Sequence, residues 1–87
     1  MTRLEANTVF AVAIVAALVR RDDAYAAAGS IQMADYAAAN AGPTDVADAA
    51  YKAADSRRDE TRAAADAAYK DAERAARAER DAAVIVG

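Results

Sequence analysis

Large apolar side chains are gathered into two parts of this sequence. Most of them lie between Val9 and Val19, and a short second group occupies residues 84–86. The rest of the chain mixes alanine with charged residues, and Ala, Glu, Arg and Lys all favour the α-helix. The pattern therefore predicts an all-α protein.

The first helix has a recognisable start. Thr2 and Glu5 match a capping box, in which each side chain satisfies one free amide of the first turn. We therefore expect a helix over about residues 3–40. Gly29 interrupts the helix-favouring pattern only mildly, as a kink or as a tolerated position that costs about 1 kcal/mol relative to Ala.

The segment Asn40–Thr44 is the one strong break in the helical pattern. It contains Gly42, which suits the left-handed position after a helix, and Pro43, which disfavours helical geometry at the residue before it. Thr44 then suits the N-cap of a second helix over about residues 45–83. We expect one unit of 87 residues, folded as an αα-hairpin or as an extended helical pair.

The second helix contains an internal repeat. Residues 47–52 recur eighteen residues later as residues 65–70, which aligns Tyr51 with Tyr69 after five turns. An eleven-residue interval counted from Val46 fits the alanines better than a heptad does, which favours straight or slightly right-handed helix packing. The predicted packing stripe comprises Ala47, Tyr51, Ala54, Arg58, Thr61, Ala65, Tyr69, Ala72, Ala76, Glu79 and Ala83. Acid–base pairs four residues apart mark the opposite, solvated side: Asp48 with Lys52, Asp66 with Lys70, and Glu73 with Arg77.

The composition of the chain argues against catalysis and metal binding. Thirty of the 87 residues are Ala, and the chain has neither Cys nor His, so it lacks the usual metal ligands, thiol nucleophile and near-neutral general base. No Gly-rich phosphate loop occurs. We therefore expect a protein that is not an enzyme, with no catalytic residues, cofactor, metal or small-molecule substrate. The net charge of −3, with acids and bases well mixed, disfavours a nucleic-acid partner.

Residues 6–19 form an uncharged segment that is apolar around the whole helix, so one neighbouring face cannot cover it. At 1.5 Å per residue it spans about 20 Å, which is short of a ~30 Å bilayer core. A signal peptide, an interfacial membrane helix and a helix buried among protein partners are the three alternatives, and we favour the last. The expected interaction residues are Val9, Phe10, Val12, Ile14, Val15, Leu18, Val19, Tyr51, Tyr69, Val84, Ile85 and Val86.

Residues 45–83 resemble in composition two kinds of Ala-rich, charge-laced helix. One is the late-embryogenesis-abundant repeat, and the other is the Ala-containing coiled coil of bacterial outer-membrane lipoprotein. The chain contains no Cys for a lipid anchor of the lipoprotein kind. The first resemblance implies a stress-protective helix that orders on drying or on binding.

The sequence thus favours a structural subunit of a large multi-copy complex, with a virion such as a phage particle as the expected location. It would bind further copies of itself or other subunits through residues 6–19 and 84–86. The alternative is a membrane-associated tether whose first helix enters lipid. The stress-protective helix is a third reading.

Overall fold

A computed structural model describes residues 1–86 of the chain, and the side chains of residues 1–84. It contains two long helices, α1 (Arg3–Ala41) and α2 (Ala47–Val86), and a 3₁₀ turn (Thr44–Val46) between them. The described residues form no strand. The all-α helical pair that the sequence predicts is confirmed. The helices end slightly later than expected, at residues 41 and 86.

The capping box at the start of α1 is present. The backbone N–H of Glu5 donates to Oγ1 of Thr2 at 3.1 Å, and the backbone N–H of Thr2 donates to Oε1 of Glu5 at 3.4 Å. The next turn is closed by the N–H of Ala6, which donates to the carbonyl of Thr2 at 2.9 Å. These contacts satisfy amides that a helix N-terminus otherwise leaves unpaired.

Two expectations for the connection are wrong. Gly42 does not adopt a left-handed conformation, because its N–H continues a turn by donating to the carbonyl of Ala39 at 3.3 Å. Thr44 is not the N-cap, since it is already the first residue of the 3₁₀ turn. Pro43 takes the cap position with an extended ψ of 138°, and its carbonyl accepts from the N–H of Val46 at 3.3 Å. A proline that cannot continue α1 thus starts the turn itself.

Packing contacts divide the chain into two units, each built from one stretch of α1 and one of α2. Unit 1 comprises Met1–Arg21 and Asp66–Gly87, and unit 2 comprises Asp22–Ala65. In unit 1, Phe10 contacts Arg80 and Arg21 contacts Tyr69, so the two helices run antiparallel.

Alanine occupies the centre of the packing in both units. The fully buried hydrophobic residues of the described chain are Ala6, Ala17, Ala28, Ala39, Ala54 and Ala76. Those in α1 recur every eleven residues, and Ala54 and Ala76 in α2 are two such steps apart. The interval that the sequence predicts for α2 is therefore found in both helices. The residue from which the interval in α2 is counted differs from the expectation. Val46 is exposed, and the neighbouring Ala47 is half-buried.

The stripe predicted for α2 forms the inner face of that helix, with one exception. Ten of its eleven residues are buried or half-buried, but Glu79 is exposed and the neighbouring Arg80 lies inward instead. The eleven-residue interval explains why Arg80 faces inward in place of Glu79. Arg80 lies eleven residues after Tyr69, and Tyr69 lies eleven residues after the half-buried Arg58. Of the three predicted acid–base pairs, Glu73 and Arg77 form an ion pair at 3.3 Å. The pairs do not all lie on the solvated side, because Asp66 and Glu73 are half-buried.

Replacing Gly29 by Ala should stabilise the protein by about 0.5–1 kcal/mol, because Gly29 lies inside α1 and a Cβ there meets no atom within 4 Å. Urea denaturation followed by circular dichroism measures the change. Gly42→Ala is the matched control. Its Cβ would lie 3.5 Å from the carbonyl oxygen of Ala38, at ordinary contact distance, and outside the regular helix the gain should be smaller. An equal or larger gain at Gly42 would contradict this expectation.

Enlarging a buried alanine should have the opposite effect. Ala28 is only 2% exposed, so Ala28→Leu forces side-chain atoms into a closed contact and should destabilise unit 2 by about 1–3 kcal/mol. The neighbouring exposed Ala27 provides the control, since Ala27→Leu changes helix propensity in nearly the same way without overpacking. Equal denaturation midpoints for the two variants would show that the Ala28 contact is not tight.

Candidate interaction surface

The uncharged segment at the start of α1 presents two different faces in unit 1. One face packs toward α2, where Phe10, Ile14 and Leu18 are half-buried. The other face points away from it, and its large side chains remain in contact with solvent. We call this second set the outer valine face; it consists of Leu4, Val9, Val12, Val15 and Val19.

The large side chains of the outer valine face are mostly exposed to solvent. Leu4 is 77% exposed, Val12 65% and Val15 59%. Single apolar residues on a protein surface are normal, but a contiguous group of them commonly marks a contact with a partner. Of the residues predicted to interact, four valines of residues 6–19 therefore remain available, while Phe10, Ile14 and Leu18 face the chain itself.

Cations stacked on aromatic rings flank the alanine contacts. In unit 1, the guanidinium of Arg80 lies 4.3 Å from the ring centre of Phe10, and that of Arg21 lies 4.9 Å from the ring of Tyr69. In unit 2, Arg62 lies 4.7 Å from the ring of Tyr25. Each contact joins α1 to α2. Such pairs contribute about 0.5–1 kcal/mol at exposed sites.

A polar network joins the helices near the turn in unit 2. The hydroxyl of Tyr36 donates a short hydrogen bond to Oδ1 of Asp55, and Nε2 of Gln32 donates to the same oxygen at 2.9 Å. Tyr36 also packs edge to face on Tyr51, with ring centres 5.1 Å apart. Tyr51 in turn donates to Oδ1 of Asn40. Three residues of α1 are thereby tied to two residues of α2.

The network changes the acidity of its members. Hydrogen bonds from Tyr36 and then from Gln32 stabilise the charged carboxylate and lower the pKa of Asp55 below its usual value. The same bond from the other side raises the pKa of Tyr36, because the neutral hydroxyl is needed to donate and the carboxylate disfavours a second negative charge. At neutral pH both groups are in the state that the hydrogen bond requires.

The remaining predicted interaction residues have specific positions. Tyr51 and Tyr69 are half-buried and contact α1 within their own units, which gives both rings an intramolecular role. Val84 is half-buried and borders a shallow hollow beside Arg3 and Asn7 of α1. The side chains of Ile85 and Val86 lie outside the described residues.

Sequence reasoning missed the inward arginines and the polar network. Arg21 and Arg80 are not among the residues predicted to pack, although the eleven-residue interval places each of them, Arg21 one step after Phe10 and Arg80 one step after Tyr69. Gln32 and Asp55 carried no comparable signal. Their pairing depends on which residues of α1 and α2 lie opposite each other in unit 2.

The described residues contain no group of three or more acidic, His or Cys side chains able to hold a metal ion. An open cleft of about 460 Å³ lies beside the turn in unit 2, where it is lined mainly by alanines and edged by the ion pair between Arg57 and Asp35 at 3.4 Å. Among the described residues, no helix combines the length and apolar character that crossing a bilayer requires.

Comparison of the chain with protein-family models, with curated proteins and with solved structures gives no match.

The Tyr36–Asp55 bond makes a prediction about acid. Because the folded-state pKa of Asp55 is lowered, its stabilising effect is complete above the unfolded value near 4 and is lost as pH falls through the lower folded value. Wild-type protein should therefore lose more stability between about pH 5 and pH 2 than Asp55→Asn, which cannot titrate there. Asp48→Asn on the exposed side is the control and should follow the wild-type curve, and the measurement is urea denaturation at a series of pH values. Parallel curves for wild type and Asp55→Asn would contradict the assignment.

Proposed function

We propose that this chain is a non-enzymatic structural subunit that packs into a larger, multi-copy protein assembly through the outer valine face of α1. The observation that carries the proposal is the exposure of five large apolar side chains along one side of a single helix. Contact with water is unfavourable for such an apolar surface, so a neighbouring chain that covers the surface stabilises the protein.

The interior of the protein supports the same proposal. The fully buried hydrophobic residues of the described chain are alanines, and a single methyl group removes little apolar area from water. The larger apolar residues of α1, which contribute more on burial, are partly turned outward. A short chain arranged in this way gains a substantial part of its hydrophobic stabilisation from contact with neighbours.

A particle built from many copies is the setting that suits such a part, and a virion such as a phage particle is the one we favour. The partners would be further copies of this chain or other protein subunits, and residues 84–86 would extend the docking surface from the end of α2.

A membrane-associated tether is the second candidate, because the same face lacks charge between residues 6 and 19. In that case α1 would lie at the lipid surface, with its valines in the acyl region. The two candidates differ in what covers the valines, and they respond differently to detergent.

Sedimentation of the tagged full-length chain from the organism that encodes it tests the proposal. The chain should travel with large protein particles and remain with them after a nonionic detergent has dissolved the membranes. The double variant Val12→Asp, Val15→Asp should leave the particles, because two carboxylates cannot be buried unpaired in an apolar contact. Ala78→Asp, on the exposed side of α2, is the matched control and should stay.

Two results would contradict the proposal. Flotation of the chain with membranes and its release by detergent would identify the tether. A chain that sediments as a small free species in both conditions would exclude both candidates.

A further inference from the structure

We propose that the outer valine face of α1 pairs in antiparallel orientation with the same face of a second copy of this chain, crossing near Val12. The inference rests on the proposed function and deepens it by naming the partner. It depends on three observations about unit 1, which are the spacing of the exposed residues, the positions of two charges and the inward direction of the aromatic ring.

The exposed residues are spaced for contact with another helix. Thr8, Val12, Val15 and Val19 are exposed and follow one another at intervals of four, three and four residues. This alternation keeps a narrow row of side chains directed at one partner helix, as in helical pairs. These three intervals add up to eleven residues, the step at which the buried alanines of α1 recur, so the inner and outer sides of the helix keep the same period. The outer row is thus a second packing seam.

Two charges border the outer valine face, one near each end. Glu5 and Arg20 are both exposed, and at about 100° per residue they lie about 60° apart around the helix, on the same edge of the face. Antiparallel packing about a twofold axis brings the same edges of two copies together. A crossing between Val12 and Ala13 therefore sets Glu5 of one copy beside Arg20 of the other, and the symmetry produces this pair twice. Parallel packing would instead leave Glu5 of one copy about 22 Å along the helix from Arg20 of the other.

The same crossing matches the apolar residues. It places Leu4 of one copy toward Val19 of the other. On the edge that carries the charges, Val9 lies toward the exposed Ala16 of the other copy, and on the opposite edge Val15 lies toward the exposed Ala11. Val12 lies close to its own symmetry mate at the centre. Every member of the outer valine face then has an apolar neighbour, while the two charge pairs remain at the rim, where water can reach them.

Lipid fits this face less well. Helices that lie on membranes present large aromatic or aliphatic residues to the acyl region and carry Lys or Arg along their polar side. Here Phe10 is turned inward beneath Arg80, and Glu5 adds a negative charge at the edge of the outer valine face, which an anionic headgroup repels. A second copy offers Arg20 at the corresponding place.

The contact is short, since the stretch from Leu4 to Val19 covers about 22 Å of helix. A stable protein interface buries about 1,200–2,000 Å² in total, more than one helix pair of this length provides. We therefore expect a reversible dimer that forms at high concentration and becomes persistent when other contacts of an assembly support it.

Sedimentation equilibrium of the purified full-length chain, from about 10 µM to about 1 mM, measures this association directly. A monomer–dimer equilibrium is expected. Val12→Asp should raise the dissociation constant by at least about tenfold, because it puts a carboxylate at the centre of the contact. Ala78→Asp should leave it unchanged, and far-UV circular dichroism checks that each variant keeps its helices. A chain that remains monomeric, or that forms a trimer or larger species, overturns the inference.

A charge exchange tests the orientation. Arg20→Glu and Glu5→Lys should each weaken the dimer, and the combination of the two should restore it to within about threefold of wild type. Since Glu5→Lys also removes a capping contact, and the double variant lacks that contact too, restoration reports on the pairing between copies. Failure of the double variant to recover overturns the antiparallel arrangement.

Two further measurements separate this inference from its alternatives. Vesicles of phosphatidylcholine with phosphatidylserine should not bind the chain, and binding that depends on Val12 would identify lipid as the occupant. If the purified chain stays monomeric while the cellular chain still sediments with particles, the pairing is wrong and the proposed function stands. If the pure chain dimerises but no particle contains it, the proposed function is wrong.

Discussion

The close contact of alanine faces is the constraint on which the rest of this structure depends. A helix whose inner positions carry only a methyl group lets a neighbouring helix approach closely, and the distance between helices is set by the side chains at the contact. Such contacts recur every eleven residues in α1 and at twice that interval in α2. Since eleven residues make just over three full turns of an α-helix, the inner face stays in line without strong supercoiling.

The alanine contacts are nearly alike, so other residues determine which alanines of α1 and α2 face each other. An apolar face of equal steps offers several registers of similar energy, as happens in helical pairs that lack a distinctive buried group. In unit 2 that distinction comes from Tyr36 and Gln32, which both bond Asp55, and in unit 1 from Phe10 under Arg80. The polar and aromatic contacts supply specificity, and the alanines supply the geometry that brings these partners together.

The sequence predicted those features that depend on local propensity and period, and it missed those that depend on the partner helix. The capping box, the two helices and the inner stripe of α2 follow from residue type and spacing. The conformation of Gly42 and the position of Thr44 did not follow, because a glycine and a threonine beside a proline each have several suitable conformations. The sequence also did not predict which side of residues 6–19 faces α2, because a segment that is apolar around the whole helix has no polar side to mark the solvent-exposed face.

The eleven-residue step also bears on how a chain of this kind can change in length. Removing eleven residues from a helix rotates the side chains that follow by about 20° relative to those that precede. Removing seven residues rotates them by about 20° in the opposite sense. A loss of five residues, by contrast, turns the alanines toward solvent. The buried positions of α1, from Ala6 to Ala39, are three such steps apart. Loss of eleven residues from α1 would keep the direction of its inner face, and a matching loss from α2 would keep the contacting residues of the two helices opposite each other.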